Sequence, residues 1–148
     1  CHYDIYPDMK PEWRAAHHGY RRLRPPVVHR RSVRLDRRAR RLVVDDCLDG
    51  GAHDCRLAFH LGPEVACTLE GGQAVLEWPG DHGRRRATLA LPGELTWWRL
   101  EGETDPKAGW YSPAFGVRVP AVTLLGAGRV GGGQVLRTVL QLDSGSTA

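Results

Sequence analysis

His17, His18 and Tyr20, followed by Arg21, Arg22 and then His29, are the side chains of this sequence with the most chemistry to offer. A histidine beside a tyrosine can take a proton at one atom and return it at another, and guanidinium groups nearby can clamp a carboxylate at two points. The same residues suit a lesser task, lining a groove that holds an acidic ligand, and a strand histidine beside a turn is often only a hydrogen-bonding group. Lining is the role expected of His17, His18, Tyr20, Arg21, Arg22 and His29. No catalytic residue and no metal ligand is assigned.

Charge around these residues is uneven. Residues 1–46 hold twelve Lys/Arg against six Asp/Glu, and the remaining residues hold nine against eleven. From Arg21 to Arg41 the basic side chains are all arginine, the residue whose planar fork pairs carboxylates, phosphates and sulfates. Either these are outward-facing strand and turn positions, kept soluble by charge and blunting a sheet edge, or they form a surface for an anionic polymer. Nucleic acid is disfavoured, because no aromatic residue interrupts the run from Arg21 to Arg41 to stack on a base.

The elements that would carry these groups read as β. Short alternating stretches begin at Val27 to Leu35 and recur every eight to twelve residues between Gly and Pro turns. Trp13 to His18 is a first strand, ended by Pro25-Pro26. Asp36 to Arg40 is a hairpin loop returning into Arg41 to Leu48. His53, Cys55, Leu57, Phe59 and Leu61 alternate with Asp54, Arg56, Ala58 and His60 in the cleanest inside/outside pattern of the chain. Strands follow at 64–70, 73–78, 84–91, 95–100 and 134–142. The count is about eight or nine strands with no convincing helix, which predicts an all-β, two-layer antiparallel β-sandwich. The stretch Gly126 to Gly133 lacks the Lys-Ser/Thr of a phosphate-binding loop and reads as a flexible hairpin loop. One of Trp97 and Trp98 must face outward.

At 148 residues the chain fits a single core. Residues 1–24 form an irregular lead-in with the first strand, and 143–148 a disordered tail. No stretch approaches the roughly 18 consecutive apolar residues of a spanning helix, so no membrane partner is expected. The first residues show no secretory signal, and a sequence opening at Cys1 reads as a piece of something longer. The four cysteines lack zinc-knuckle spacing. Cys47, Cys55 and Cys67 are expected to be small buried hydrophobes, with a bridge among them conceivable in an oxidising compartment.

Several blocks together resemble one family. His18-Gly19-Tyr20-Arg21-Arg22-Leu23, Pro26 to Val33, Leu42-Val43-Val44-Asp45-Asp46, Phe59-His60-Leu61 and Gly109-Trp110-Tyr111-Ser112-Pro113-Ala114-Phe115-Gly116-Val117-Arg118-Val119-Pro120-Ala121 resemble the C-terminal β-sandwich of the heparinase II/III-like family, over roughly residues 13–142. The resemblance implies a polysaccharide lyase in which an α/α toroid precedes the sandwich and acidic, uronate-containing glycans are cut by β-elimination in the groove between them. It implies an acidic polysaccharide and the toroid as partners, and a periplasmic or extracellular setting for a typical member.

The family's catalytic Asn or His and Tyr lie in the toroid. Its sandwich histidine and zinc ligands fall in a Gly-His-x-His-x-Asp-like stretch, an Asp-Pro-Gly and an Ala-His-Asn. None of these occurs here; Ala52-His53-Asp54 and Asp81-His82-Gly83 are only superficially similar. The chain is therefore expected to be the distal, non-catalytic part of the sandwich, inactive alone, with no cofactor of its own and any zinc ion of the parent held in the part not present. The competing expectation is a stand-alone β-sandwich module that binds an anionic polysaccharide without cutting it.

Overall fold

The computed structural model describes residues 11–81 and 83–143. The first ten residues of the lead-in, Cys1, His82 and the tail from Ser144 lie outside the described residues. Within them the chain forms β1 (Glu12–His17), a short 3-10 helix (Gly19–Arg22), β2 (Val27–Asp36), β3 (Arg41–Gly50), β4 (His53–His60), β5 (Ala66–Glu70), β6 (Gln73–Gly80), β7 (Gly83–Ala90), β8 (Thr96–Glu101), β9 (Glu103–Thr104), β10 (Lys107–Ala108), β11 (Trp110–Ala114), β12 (Val117–Pro120), β13 (Val122–Val130) and β14 (Val135–Leu142).

These strands make two layers, as the alternating pattern predicts. A seven-stranded sheet runs β1-β2-β3-β14-β7-β6-β5, and a three-stranded sheet runs β4-β13-β8. Two small ribbons, β9 with β10 and β11 with β12, lie between β8 and β13 in the chain. Every pairing is antiparallel. The last strand, β14, enters the middle of the large sheet, with Leu140 opposite Leu42 of β3 on one side and Leu89 of β7 on the other.

Register fixes which residues meet between the layers, because directly opposed residues share a face. Cys67, Ala74, Leu76, Ala87, Leu89 and Leu91 of the large-sheet side pack on Val122 and Leu124 of β13. A second cluster joins Leu95, Val130 and Leu136, with Leu48, Cys55, Leu57 and Trp97 against it. β4 is half-buried at every second residue from His53 to His60, in the parity its sequence predicts. Trp97 turns inward, stacked on Phe59 at 5.9 Å between ring centroids, and Trp98 turns outward.

The structure has fourteen strands where eight or nine are predicted, and the additional ones are β9 to β13. Four of them are too short to show a period. The fifth, β13, contains the stretch read as a flexible loop; only the turn after Val130 remains irregular. Its glycines serve close packing: a Cβ on Gly126 would lie 2.7 Å from the Trp97 ring, and one on Gly128 would lie 2.9 Å from the Glu94 carbonyl. Cys47, Cys55 and Cys67 are free thiols. Only Cys67 is buried as expected; Cys55 is half-buried, and so is Cys47, whose Sγ donates to Asp49. Burial is the main cause that pushes each thiol pKa up.

Candidate functional site

The large sheet is wider than the small one, and the two layers part where the small sheet runs out. Between β2 and β3 on one side and β4 and β13 on the other lies a groove of about 720 Å³. Its wall includes Tyr20, His29, Arg31, Asp46, His53 and Arg129. Parity explains its chemistry. On β2 the residues Val27, His29 and Arg31 share the inner face, and on β3 so do Asp46 and Leu48.

Asp46 is the centre of this wall. It is 3% exposed. Arg31 meets it with both prongs, Nε to Oδ1 at 2.7 Å and Nη2 to Oδ2 at 3.0 Å, and His29 Nε2 lies 2.6 Å from Oδ1. Burial on its own would raise the Asp46 pKa; the hydrogen bonds from His29 and Arg31 and their charge outweigh it and hold the carboxyl below the ordinary carboxylate value. The result is a buried anion that orients one imidazole and one guanidinium at the groove wall.

The six residues singled out from sequence divide into two groups. His17 is registered directly opposite His29 across β1 and β2. Its ring meets Tyr20 edge-on, at 5.2 Å and 72°. Tyr20 and His29 both line the groove, so these three come together at its mouth. His18, Arg21 and Arg22 do not form the wall. His18 leads into the 3-10 helix, whose last residues are Arg21 and Arg22, all exposed, with Arg22 Nη1 donating to the Gly19 carbonyl at 2.9 Å.

Sequence reading passed over Arg31 as a site residue, and Asp46, His53 and Arg129 with it. His53 Nε2 lies 2.7 Å from the Pro25 carbonyl and ties β4 to the loop before β2. The signal for Asp46 was available in its parity with Leu42, Val44 and Leu48.

Two arginines of the run, Arg30 and Arg34, are engaged on the outer face of the large sheet. Arg34 pairs with Asp45 at 2.7 Å and Arg30 with Asp49. Arg137 grips both oxygens of Asp45 at 2.7 and 3.0 Å. That bond to Arg137 is the main cause holding the Asp45 carboxyl low, with Arg34 adding to it. The acids of β1 to β3 thus offset the arginines of the same strands. Among the described residues no group of three or more His, Cys, Asp or Glu side chains could hold a metal ion; the residues present do not fit zinc.

Three comparisons bear on this arrangement. The family model described as heparinase II/III-like, C-terminal, matches residues 6–142. No curated protein matches the sequence. Among solved structures, one titled heparinase III-BT4657 gene product is similar at 18% identity and a TM-score of 0.56, covering 79% of this chain and 18% of that one. The same product with methylated lysines is similar at 18% identity and 0.56, covering 81% and 18%. The chain therefore spans under a fifth of the length of the structures it matches, and at this identity the likeness shows the fold.

Proposed function

The chain belongs to the heparinase II/III-like family, as its C-terminal domain, and from that premise we propose that it is the non-catalytic part of the sandwich of a lyase that cuts uronate-containing glycans by β-elimination. In this reading it packs against an α/α toroid that carries the acid and base, and an acidic glycan runs past the groove mouth.

The observation that carries the proposal is the wall around Asp46. Removing a proton next to a uronate carboxylate builds up negative charge, which must be met by donors already in place. Arg31 and His29 are held in fixed positions by a buried carboxylate, and Tyr20, His17, Arg21 and Arg22 stand at or near the same corner. Asp46 fixes His29 through Nε2 and Arg31 through two nitrogens, so these groups are suited to orient an acidic sugar through the donors that remain. Proton abstraction is left to groups outside this chain.

The test is an ultraviolet assay for unsaturated uronate with alginate, heparan sulfate and heparin, run on this chain alone and on the natural polypeptide that joins it to a toroid. Product is expected from the joined protein and none from the chain alone. Product from the chain alone would move catalysis into the groove, and no product from the joined protein on any uronate glycan would overturn the lyase reading.

A further inference from the structure

The hairpin of β11 and β12 carries apolar side chains into water, and none of its residues belongs to either core cluster. Its base is fixed to the sandwich. The Gly109 carbonyl accepts from the amides of Gly102 at 2.8 Å and Ala121 at 2.9 Å, and a Cβ on Gly109 would lie 2.5 Å from Glu101 Cα. Trp110 Nε1 donates to the Glu103 carbonyl at 2.8 Å. Toward the tip, Ser112 Oγ lies 3.0 Å from the Ala114 carbonyl and 2.9 Å from the Val117 carbonyl, within reach of a hydrogen bond to either. The hairpin is thus held in one shape before anything meets it, which lowers the ordering cost of a contact.

Register sorts its side chains onto two faces. Tyr111 is opposite Val119 and Ala114 opposite Val117, with a bulge between the two pairs that keeps both on one side. Tyr111 is 44% exposed and Val117 50%, and Phe115, in the turn, is fully exposed. Three of the eight exposed large apolar side chains among the described residues therefore fall between Tyr111 and Val117. Scattered singly, such residues are ordinary; gathered on a stiff projection they mark a contact surface. On the other side Trp110 is opposite Pro120, and the Arg118 guanidinium lies over the Trp110 ring at 4.2 Å. No carboxylate among the described residues pairs with Arg118. The ring holds this cation in place and leaves its charge uncompensated.

We propose that the hairpin is a docking knob for another domain of the same polypeptide: Phe115 enters an apolar socket, Tyr111 and Val117 close on its wall, and Arg118 meets a carboxylate at its rim. It rests on the reading above, in which this chain is joined to a larger domain, and it names the surface that does the joining. More than four-fifths of the matched solved chain lies outside the part that this chain covers, and the socket is assigned to that part. A second copy of this chain fits less well, because a two-fold contact through one hairpin brings like residues together, two Arg118 side chains among them.

The experiment compares hydrogen–deuterium exchange of residues 111–119 in this chain and in the natural polypeptide that joins it to the larger domain. Exchange is expected to be slower by about tenfold or more in the joined protein. Phe115→Ala is expected to remove most of that protection and to lower the melting temperature of the joined protein while leaving that of this chain unchanged. Arg118→Ala is expected to reduce the protection by about three- to fivefold, with Arg118→Lys restoring part of the loss. Equal exchange in the two proteins overturns the knob, and so does a Phe115→Ala variant that destabilises both alike, which would make the ring structural. Phe115-dependent self-association of this chain in ultracentrifugation, or Phe115-dependent binding of it to phosphatidylcholine–phosphatidylglycerol vesicles, overturns it too, in favour of a second copy or a membrane. The lyase reading is decided separately by the elimination assay: a joined protein that protects the hairpin and yields no unsaturated uronate keeps the docking and loses the lyase, and one that yields product with the hairpin unprotected does the reverse.

Discussion

The two halves of the large sheet share one alternation and differ in what they turn inward. Under the small sheet, β5, β6 and β7 present Cys67, Ala74, Leu76, Ala87 and Leu89, and the layer above closes so tightly that Ala74, Ala87 and Leu124 have no exposed surface. Beyond the small sheet, β1 and β2 present Trp13, His17, His29 and Arg31 on the same face, with Asp46 of β3 set among them. Trp13 is 53% exposed there. Alternation alone decides which side of a strand a residue occupies. The width of the covering layer decides whether that side must be apolar, and the uncovered half is free to carry charge as long as any buried charge is paired.

The contrast is broken most severely in the closed half. Leu124→Ala is expected to lose about 2–5 kcal/mol of stability through lost burial and the cavity left behind, measured by urea denaturation. Trp13→Ala on the open half is expected to cost under about 0.5 kcal/mol. Equal losses would mean that the two halves are packed alike.

Asp46→Asn comes next, because it removes the anion and leaves Arg31 and His29 without their carboxylate at the groove wall. Breaking a fully buried pair costs about 3–5 kcal/mol; Arg31 and His29 keep part of their hydration, so about 2–3 kcal/mol is expected. Adding Arg31→Met to that variant should recover some of it, which a double-mutant cycle would read directly.

The same network sets a pH dependence with a definite sign. The Asp46 carboxyl is held below its unfolded value of about 3.9. Its stabilisation is therefore full above that value and is lost as pH falls through the lower folded value. Denaturation midpoints of the native chain and Asp46→Asn should converge as pH falls below the unfolded carboxylate value of about 3.9. Asp45 contributes in the same direction and remains in both proteins. Parallel curves down to the acid limit would show that Asp46 is not what titrates.

Ion pairs of the outer face carry less than the buried pair. Arg137→Ala is expected to cost under about 1 kcal/mol, shrinking further in high salt, since the guanidinium is largely exposed and Asp45 keeps Arg34 as a second partner. An effect as large as that of Asp46→Asn would erase the distinction between inner and outer ion pairs.

What the sequence makes legible is the local alternation. β4 shows it without interruption, and the Asp36 to Arg40 loop is bounded by charged turn residues, so both are read correctly from pattern. β13 is not, because its glycines look like loop residues when seen alone. Their reason lies in other strands: the Trp97 ring occupies the space that a side chain at Gly126 would need. The site follows the same rule. His17, Tyr20 and His29 are found from their chemistry and the short distance between them in the chain. Asp46 is missed because its partners stand 15 and 17 residues away and only the β2–β3 register brings them across from it.

The position of β14 has a consequence for how the molecule is made. Residues 135–142 lie between β3 and β7, so the β1–β3 meander and the β5–β7 meander share no hydrogen-bonded strand until that segment arrives. On a ribosome every residue up to β14 must emerge before the two meanders can be joined, and until then each exposes the edge that β14 will cover. The large sheet closes at its centre last, with β14 as keystone, and without residues 135–142 its two meanders share no strand.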